Sequence, residues 1–439
     1  MKLPLFEALT EYAGKEPARF HMPGHKGLLN ALDVTETLGT DDLHAPSGAI
    51  LESERLCAER LGAREAFFSV NGSTACMLAM LELAGRGERI LLGRGCHKSA
   101  INGIALSDQE AEPLIPDENG VYSAEEVDRA LTKTPCAAVF LTSPTYRGAV
   151  SPIDKIAEAA HRHGALLLVD AAHGAHFAYS GELPPVPSSA DLWCVSSHKT
   201  LCALTQTALL LTGKSCPFPE NAVRRALGRY LSTSPSYELM LSIERSVLCP
   251  PDWDAHISRI RRVRKELCGL PGVHLLGGGD ITRLNIAVGG MNGRRLAERL
   301  FAAGVYPEMA DGGCVTLITA PADPDEWYER LAAALRLIAC DEEARPVKAA
   351  APASPVFGER VMSVTRSVFA PRECVPLESS VGRVCAEACG AYPPGIAILF
   401  PGERITEEAV RFLSAELDSG AALFGLEGGC VSVVKEQEA

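Results

Sequence analysis

A chain of 439 residues is too long for one hydrophobic core and implies two or three domains. Its 42 Lys+Arg against 55 Asp+Glu give a formal charge of −13, which provides no general attraction for nucleic acid or anionic membranes and favours small cations. Hydrophobic residues at 47% and charged residues at 22% exclude bulk disorder. No apolar run is long enough to span a membrane, and the N-terminus, with Glu7 and Glu11, lacks the apolar stretch of a signal peptide. Fifteen cysteines, an odd number without a CxxC, predict reduced thiols and a cytoplasmic location.

The middle of the chain alternates strand and helix patterns. EAFFSV (65–70) reads as a strand, followed by a helix over 73–84 that Gly85 and Gly87 close. ERILL (88–92) and AAVFL (137–141) are the next strands. Ser151-Pro152 predicts an N-cap with proline at the first helical position, and Gly164 ends that helix. ALLLV (165–169) and DLWCVS (191–196) read as buried strands, so this region predicts a mostly parallel sheet covered on both faces. From about 250 a basic amphipathic helix, short strands and two further helices suit a smaller α/β domain. Residues 341–360, rich in Ala, Pro and charge, read as a linker, and 361–439 as a third small domain.

Several local patterns carry little. Gly213-Lys214-Ser215 lacks the earlier glycine of a nucleotide P-loop, because Ala208 stands there. Ser196-Ser197-His198-Lys199 fits S-x-x-K without its partner motif. The histidine pairs 21/25, 161/163 and 173/176 do not assemble three or four converging ligands, so no metal is expected. Three strand ends say more. Asn71-Gly72-Ser73-Thr74 opens a helix with two hydroxyls and free N–H groups, a cradle for phosphate. Asp170 follows one buried strand, and Lys199 lies just beyond another; each is costly there unless it is paired or used. A phosphate cradle, a carboxylate and a lysine together suit pyridoxal 5′-phosphate. The lysine amine bonds the aldehyde, and the carboxylate keeps the ring nitrogen protonated. Their order fits the aspartate-aminotransferase-like fold, fold type I.

The chain resembles the bacterial Orn/Lys/Arg decarboxylases, pyridoxal-phosphate enzymes of fold type I. The resemblance runs through Phe20-His21-Met22-Pro23-Gly24-His25-Lys26-Gly27, Asp41-Asp42-Leu43-His44-Ala45-Pro46-Ser47-Gly48 and Asn71-Gly72-Ser73-Thr74. It continues through Cys96-His97-Lys98-Ser99, Asp170-Ala171-Ala172-His173-Gly174-Ala175-His176, Ser196-Ser197-His198-Lys199-Thr200 with Leu204-Thr205-Gln206, and Ser232-Thr233-Ser234-Pro235-Ser236-Tyr237. Near the end stand Ser380-Val381-Gly382-Arg383, Tyr392-Pro393-Pro394-Gly395-Ile396 and Pro401-Gly402-Glu403. Two positions depart: Ala171 replaces an acidic residue and Cys202 a proline. The long N-terminal wing of the large inducible enzymes is not seen.

The resemblance implies an N-terminal arm (1–50), a large cofactor-binding domain (51–249), a small α/β domain (250–340), a linker (341–360) and an α+β decarboxylase domain (361–439). It implies decarboxylation of arginine, lysine or ornithine, leaning to arginine, in polyamine supply or acid resistance. Lys199 would bond the cofactor, Asp170 hold the ring nitrogen, His97 stack on the ring and His173 lie near its phenolic oxygen or the substrate. Ser73, Thr74, Ser196 and His198 would hold the phosphate, with Thr205 reaching a partner's phosphate in a homodimer or larger even oligomer. Asp41, Asp42 and Glu403 are candidates for the substrate's distal cation. The alternatives are another fold type I reaction, amino transfer or aldol-type cleavage, and a silent pyridoxal-phosphate-binding homologue.

Overall fold

The computed structural model describes residues 2–340, 357–392 and 395–436. Residues 341–356 of the expected linker, and Pro393 and Pro394, lie outside the described residues. The chain forms two compact units, each built from separated segments: 1–86, 123–144 and 151–253 in one, 87–122, 145–150 and 254–439 in the other. The expected division was linear and does not express this interleaving.

Seven short strands carry the α/β framework: β1 (Glu65–Ser69), β2 (Arg89–Gly93), β3 (Glu110–Leu114), β4 (Ala138–Thr142), β5 (Leu166–Asp170), β6 (Leu192–Ser196) and β7 (Ala208–Thr212). In the first unit β4, β5 and β6 pair in parallel, and β7 pairs antiparallel with both β6 and β1. In the second, β2 and β3 are parallel. Parallel pairing predominates, as the continuous apolar runs predict. Leu167, Leu168, Val169, Leu192, Trp193 and Leu209 to Leu211 are all buried, as in a sheet covered on both faces.

Two register facts position everything that follows. Ser196 at the end of β6 and Ser69 at the end of β1 both pair with Ala208 of β7. Because β7 runs antiparallel to each, β1 and β6 run the same way and finish at the same edge. Asp170, the last residue of β5, pairs with Cys194 of β6 at that edge.

The helix before β5 begins at Ile153 rather than Pro152, and Pro152 caps it without a side-chain bond. Ser151 is therefore not the N-cap. It is buried, and its N–H donates to Ser143 Oγ at 3.0 Å. The helix closes as expected: Gly164 has φ +70°, and the N–H groups of Gly164 and Ala165 return to His161 and Ala160. His161 and His163 are taken by Asp191 and Asp128 at 2.9 and 3.1 Å.

The second unit holds a four-stranded antiparallel sheet of β8 (Val273–Leu276), β9 (Arg283–Val288), β10 (Met309–Ala310) and β11 (Val315–Ile318), in the order β10-β11-β9-β8. Leu284, Ile286 and Val315 pack there with Leu296 and Leu300 of helix Gly293–Ala302 and Leu331 and Leu335 of helix Asp325–Ala339. A smaller core of Leu377, Leu399, Ile405, Leu413 and Val433 organises the C-terminal α+β segment. No described helix is long and apolar enough to cross a membrane, and all fifteen cysteines are free thiols.

In the first unit a distant carboxylate caps the first helix, Pro4–Gly14. Leu3 provides no side-chain cap, and buried Glu244 instead accepts the N–H groups of Leu5 and Phe6 at 2.8 and 2.9 Å and the hydroxyl of Ser53. Removing it takes the acceptor from the Phe6 N–H and the Ser53 hydroxyl and leaves the Leu5 N–H with only Ser53 Oγ at 3.3 Å, a cost of about 1–3 kcal/mol for each lost bond. Glu244→Ala is expected to lower the denaturation midpoint by that scale and to open the N-terminal helix to limited proteolysis before global unfolding.

Candidate active site

The phosphate cradle starts where β1 ends. Gly72 opens helix Gly72–Leu83 with φ +73°, a conformation that favours glycine. Asn71 occupies the N-cap without capping, because its amide oxygen accepts the N–H of Ser232 at 3.1 Å. The Asn71 side chain thus does not cap the first helical turn, which holds the buried Ser73 and the exposed Thr74. Gln206, itself at φ +81°, ties this start to the turn beyond β6. Its carbonyl accepts the N–H of Gly72 at 2.8 Å, and its side chain donates to Val70 O at 2.6 Å.

β6 runs into a short turn, Ser197–Thr200, that carries Lys199. Lys199 Nζ lies 3.1 Å from Nε2 of buried His173, which comes from the loop after β5. A hydrogen bond between two nitrogens requires that one supply a lone pair, so amine and imidazole cannot both carry the proton. Asp170 is buried, and its Oδ1 accepts the N–H of Ala172 at 3.1 Å and lies 3.7 Å from Cys194 Sγ. Both contacts fall on one oxygen, which leaves Oδ2 for another donor.

His198 Nδ1 donates to Thr207 O at 2.9 Å. Burial pushes its imidazole below the ordinary 6.5, against the pull of that carbonyl. Thr205 is exposed. The hydroxyls of Ser196, Ser197 and Thr200 are buried without a hydrogen-bond partner among the described residues. Three such hydroxyls around a lysine fit a group bearing anionic oxygens, because buried polar atoms are rarely left unsatisfied. The donor set fits pyridoxal phosphate: Lys199 to bond its aldehyde carbon, Asp170 to receive its ring N–H, and hydroxyls with a helix start to hold its phosphate.

His97 belongs to the second unit. It caps helix Lys98–Leu106, its Nδ1 accepting the N–H of Ser99 at 3.2 Å, and its ring lies against Gly395, where a Cβ would meet Cδ2 at 3.2 Å.

The three carboxylates expected to meet the substrate's cation are otherwise engaged. Glu403 forms a bidentate pair with Arg94, at 2.7 and 3.1 Å, and both are buried. The guanidinium lies between the rings of Phe357 and Phe400, at 4.0 and 4.2 Å from their centroids. Burial raises the Glu403 carboxyl and Arg94 draws it back. This geometry is a buried ion pair in which both Glu403 oxygens meet Arg94. Asp41, at φ +68°, accepts the N–H groups of Ser47, Gly48 and Ile50, and Asp42 accepts that of His44 at 2.9 Å. Both organise their own loop.

Sequence reasoning missed Cys194, Gln206, Ser197 and Thr200. Gln206 and Thr200 stood inside motifs already noted, but Cys194 gave no signal before its register with Asp170 was known.

The fold and the residues gathered at this edge define a fold type I pyridoxal-phosphate enzyme. The Escherichia coli constitutive lysine decarboxylase superposes with a TM-score of 0.81 over 99% of this chain and 82% of its own, at 18% identity. The major domain of Orn/Lys/Arg decarboxylases matches residues 27–249 and their C-terminal domain residues 361–438. YaaO of Bacillus subtilis (strain 168) is 33% identical, covering 94% of each chain, and the arginine decarboxylase of the same organism is 31% identical, covering 99% of this chain and 98% of its own. The chain belongs to the Orn/Lys/Arg decarboxylase family and is a pyridoxal-phosphate-dependent decarboxylase of basic amino acids.

Two outcomes follow from the geometry. Arg94→Ala leaves a buried carboxylate unpaired and is expected to cost about 3–5 kcal/mol in denaturant unfolding, whereas Glu403→Gln lowers Tm without raising KM for the amino acid. His198 takes up its proton at lower pH when folded than when unfolded. Its contribution is intact above about pH 6.5 and is lost as pH falls below it. The drop in the apoenzyme's Tm between about pH 7.5 and 5.5 is expected to be smaller in His198→Gln than in the parent.

Proposed function

We propose that this enzyme decarboxylates arginine to the corresponding amine and CO2, with lysine the next candidate, as a cytoplasmic homodimer or larger even oligomer. The observation that carries the decarboxylase chemistry is the 3.1 Å contact of Lys199 Nζ with His173 Nε2 at the strand edge where Asp170 also ends. The preference for arginine is supported by likeness over nearly the full length to a protein named arginine decarboxylase.

Bound pyridoxal phosphate supplies a ring that takes up the electron pair left behind as CO2 departs. Lys199 would hold the cofactor through its aldehyde carbon. Asp170, through Oδ2, keeps the ring nitrogen's proton in place by charge and hydrogen bond. Ser73, Thr74, Ser196 and His198 hold the phosphate, and Thr205 reaches across to a second protomer. After CO2 leaves, the α-carbon needs one proton, and the Lys199–His173 pair holds one between Nζ and Nε2. Such amines would feed polyamine synthesis, and the proton consumed would suit acid resistance.

The test is parallel assay of CO2 and amine release from arginine, lysine and ornithine with pyridoxal phosphate added. Release from arginine above the other two is expected. Amino transfer to a 2-oxo acid without CO2 would replace the reading with a transaminase. Lys199→Ala is expected to lose several orders of magnitude in kcat and all borohydride-fixed colour; full activity in that variant would overturn the assignment of Lys199.

A further inference from the structure

The proton state of a cofactor ring depends on the carboxylate that faces it, and that carboxylate depends on its own neighbours. Asp170 has two donors, both on Oδ1: the backbone N–H of Ala172 at 3.1 Å and, at 3.7 Å, Sγ of Cys194. Cys194 is fully buried in the middle of β6, with Leu192, Trp193 and Val195 around it in sequence. It is the cross-strand partner of Asp170, so the two side chains leave the sheet at the same level and on the same face. Among the described residues the thiol has no second hydrogen-bond partner. Cys76, from helix Gly72–Leu83, is the other buried thiol near this carboxylate, but its sulfur is turned to Gly72 O at 3.8 Å.

We infer that Cys194 is a positioning residue for the decarboxylation: its S–H donates to Asp170 Oδ1, fixes the rotamer of the carboxylate and turns Oδ2 toward the cofactor's ring nitrogen. A thiol suits this place for a stated reason. An S–H is a weak donor, so it orients the carboxylate while withdrawing little of the negative charge that the ring nitrogen needs. A hydroxyl would compete more strongly for that charge, and a methyl group would leave the Ala172 N–H to hold Oδ1 without the thiol. Burial and the adjacent carboxylate both hold the Cys194 thiol far above its ordinary range, so it remains a donor throughout the working pH range. The groups facing it are Asp170, the Cys76 thiol and Lys199, and the first two oppose its ionisation.

The inference rests on the reading that Asp170 binds the ring nitrogen, and the experiment separates the two. Infrared spectra of the holoenzyme resolve buried S–H stretching bands, and the band lost in Cys194→Ala identifies this thiol. In the parent that band is expected at lower wavenumber than an unbonded thiol, and Asp170→Asn is expected to move it upward. An unmoved band overturns the contact. The role is read separately by titrating apoenzyme with pyridoxal phosphate. Cys194→Ala is expected to weaken cofactor binding and lower kcat about 3- to 10-fold, the scale of one modest hydrogen bond, with KM for the amino acid unchanged. Cys194→Ser, which retains a donor, is expected to recover part of the loss. Equal behaviour of the alanine and serine variants in both titration and kcat overturns positioning in favour of plain packing, and their thermal unfolding as apoenzymes shows whether either has lost its fold. If Asp170→Asn itself retains full cofactor affinity and activity, the reading of Asp170 fails, while the shifted S–H band still stands for the contact.

Discussion

The site depends on one register. Ala208 of β7 pairs on one side with Ser196 of β6 and on the other with Ser69 of β1. Two strands far apart in sequence therefore stop at the same level and point the same way, and β5 runs alongside β6. At that shared edge the strands give way to turns, the place where open α/β sheets bind their ligands. The start of the helix after β1, the Asp170 carboxylate and the Lys199 turn are adjacent for this reason. Gln206 reinforces the arrangement, since one residue bonds both Gly72 and Val70 across the gap.

Burial then decides what each polar group at the edge can do. Lys199 and His173 share a contact that only one proton can occupy. Asp170 has one oxygen committed and one open. Ser196, Ser197 and Thr200 hold hydroxyls away from water without partners among the described residues, a cost that bound anionic oxygens would offset. Elsewhere several buried charges pair within the protein. Arg94 and Glu403 pair within an aromatic clamp, and Glu54 accepts both Phe68 N–H and Arg224.

The carboxylates expected to meet the substrate's cation are also paired within the protein. Asp41, Asp42 and Glu403 lie in motifs shared with the family, and a substrate with a distal cation calls for an acidic partner. Each of the three is engaged by the protein itself: two by loop N–H groups, one by a guanidinium. A carboxylate in a motif is as readily a loop organiser as a ligand, and only its hydrogen-bond partners distinguish the two.

The sequence by itself determined the strand–helix alternation, the order of cradle, carboxylate and lysine, and the cofactor they serve. Those features are local: apolar runs set strands, Gly164 stops a helix, and a buried Asp or Lys after a strand marks a place where charge must be used. The interleaving of the two units, the pairing of Cys194 with Asp170, the reach of Glu244 to the first helix and the capture of Glu403 by Arg94 were decided by tertiary structure alone. Each depends on residues brought together from 24 to 309 positions apart. Propensity and periodicity act over a few residues and carry no information about which distant donor will find which acceptor.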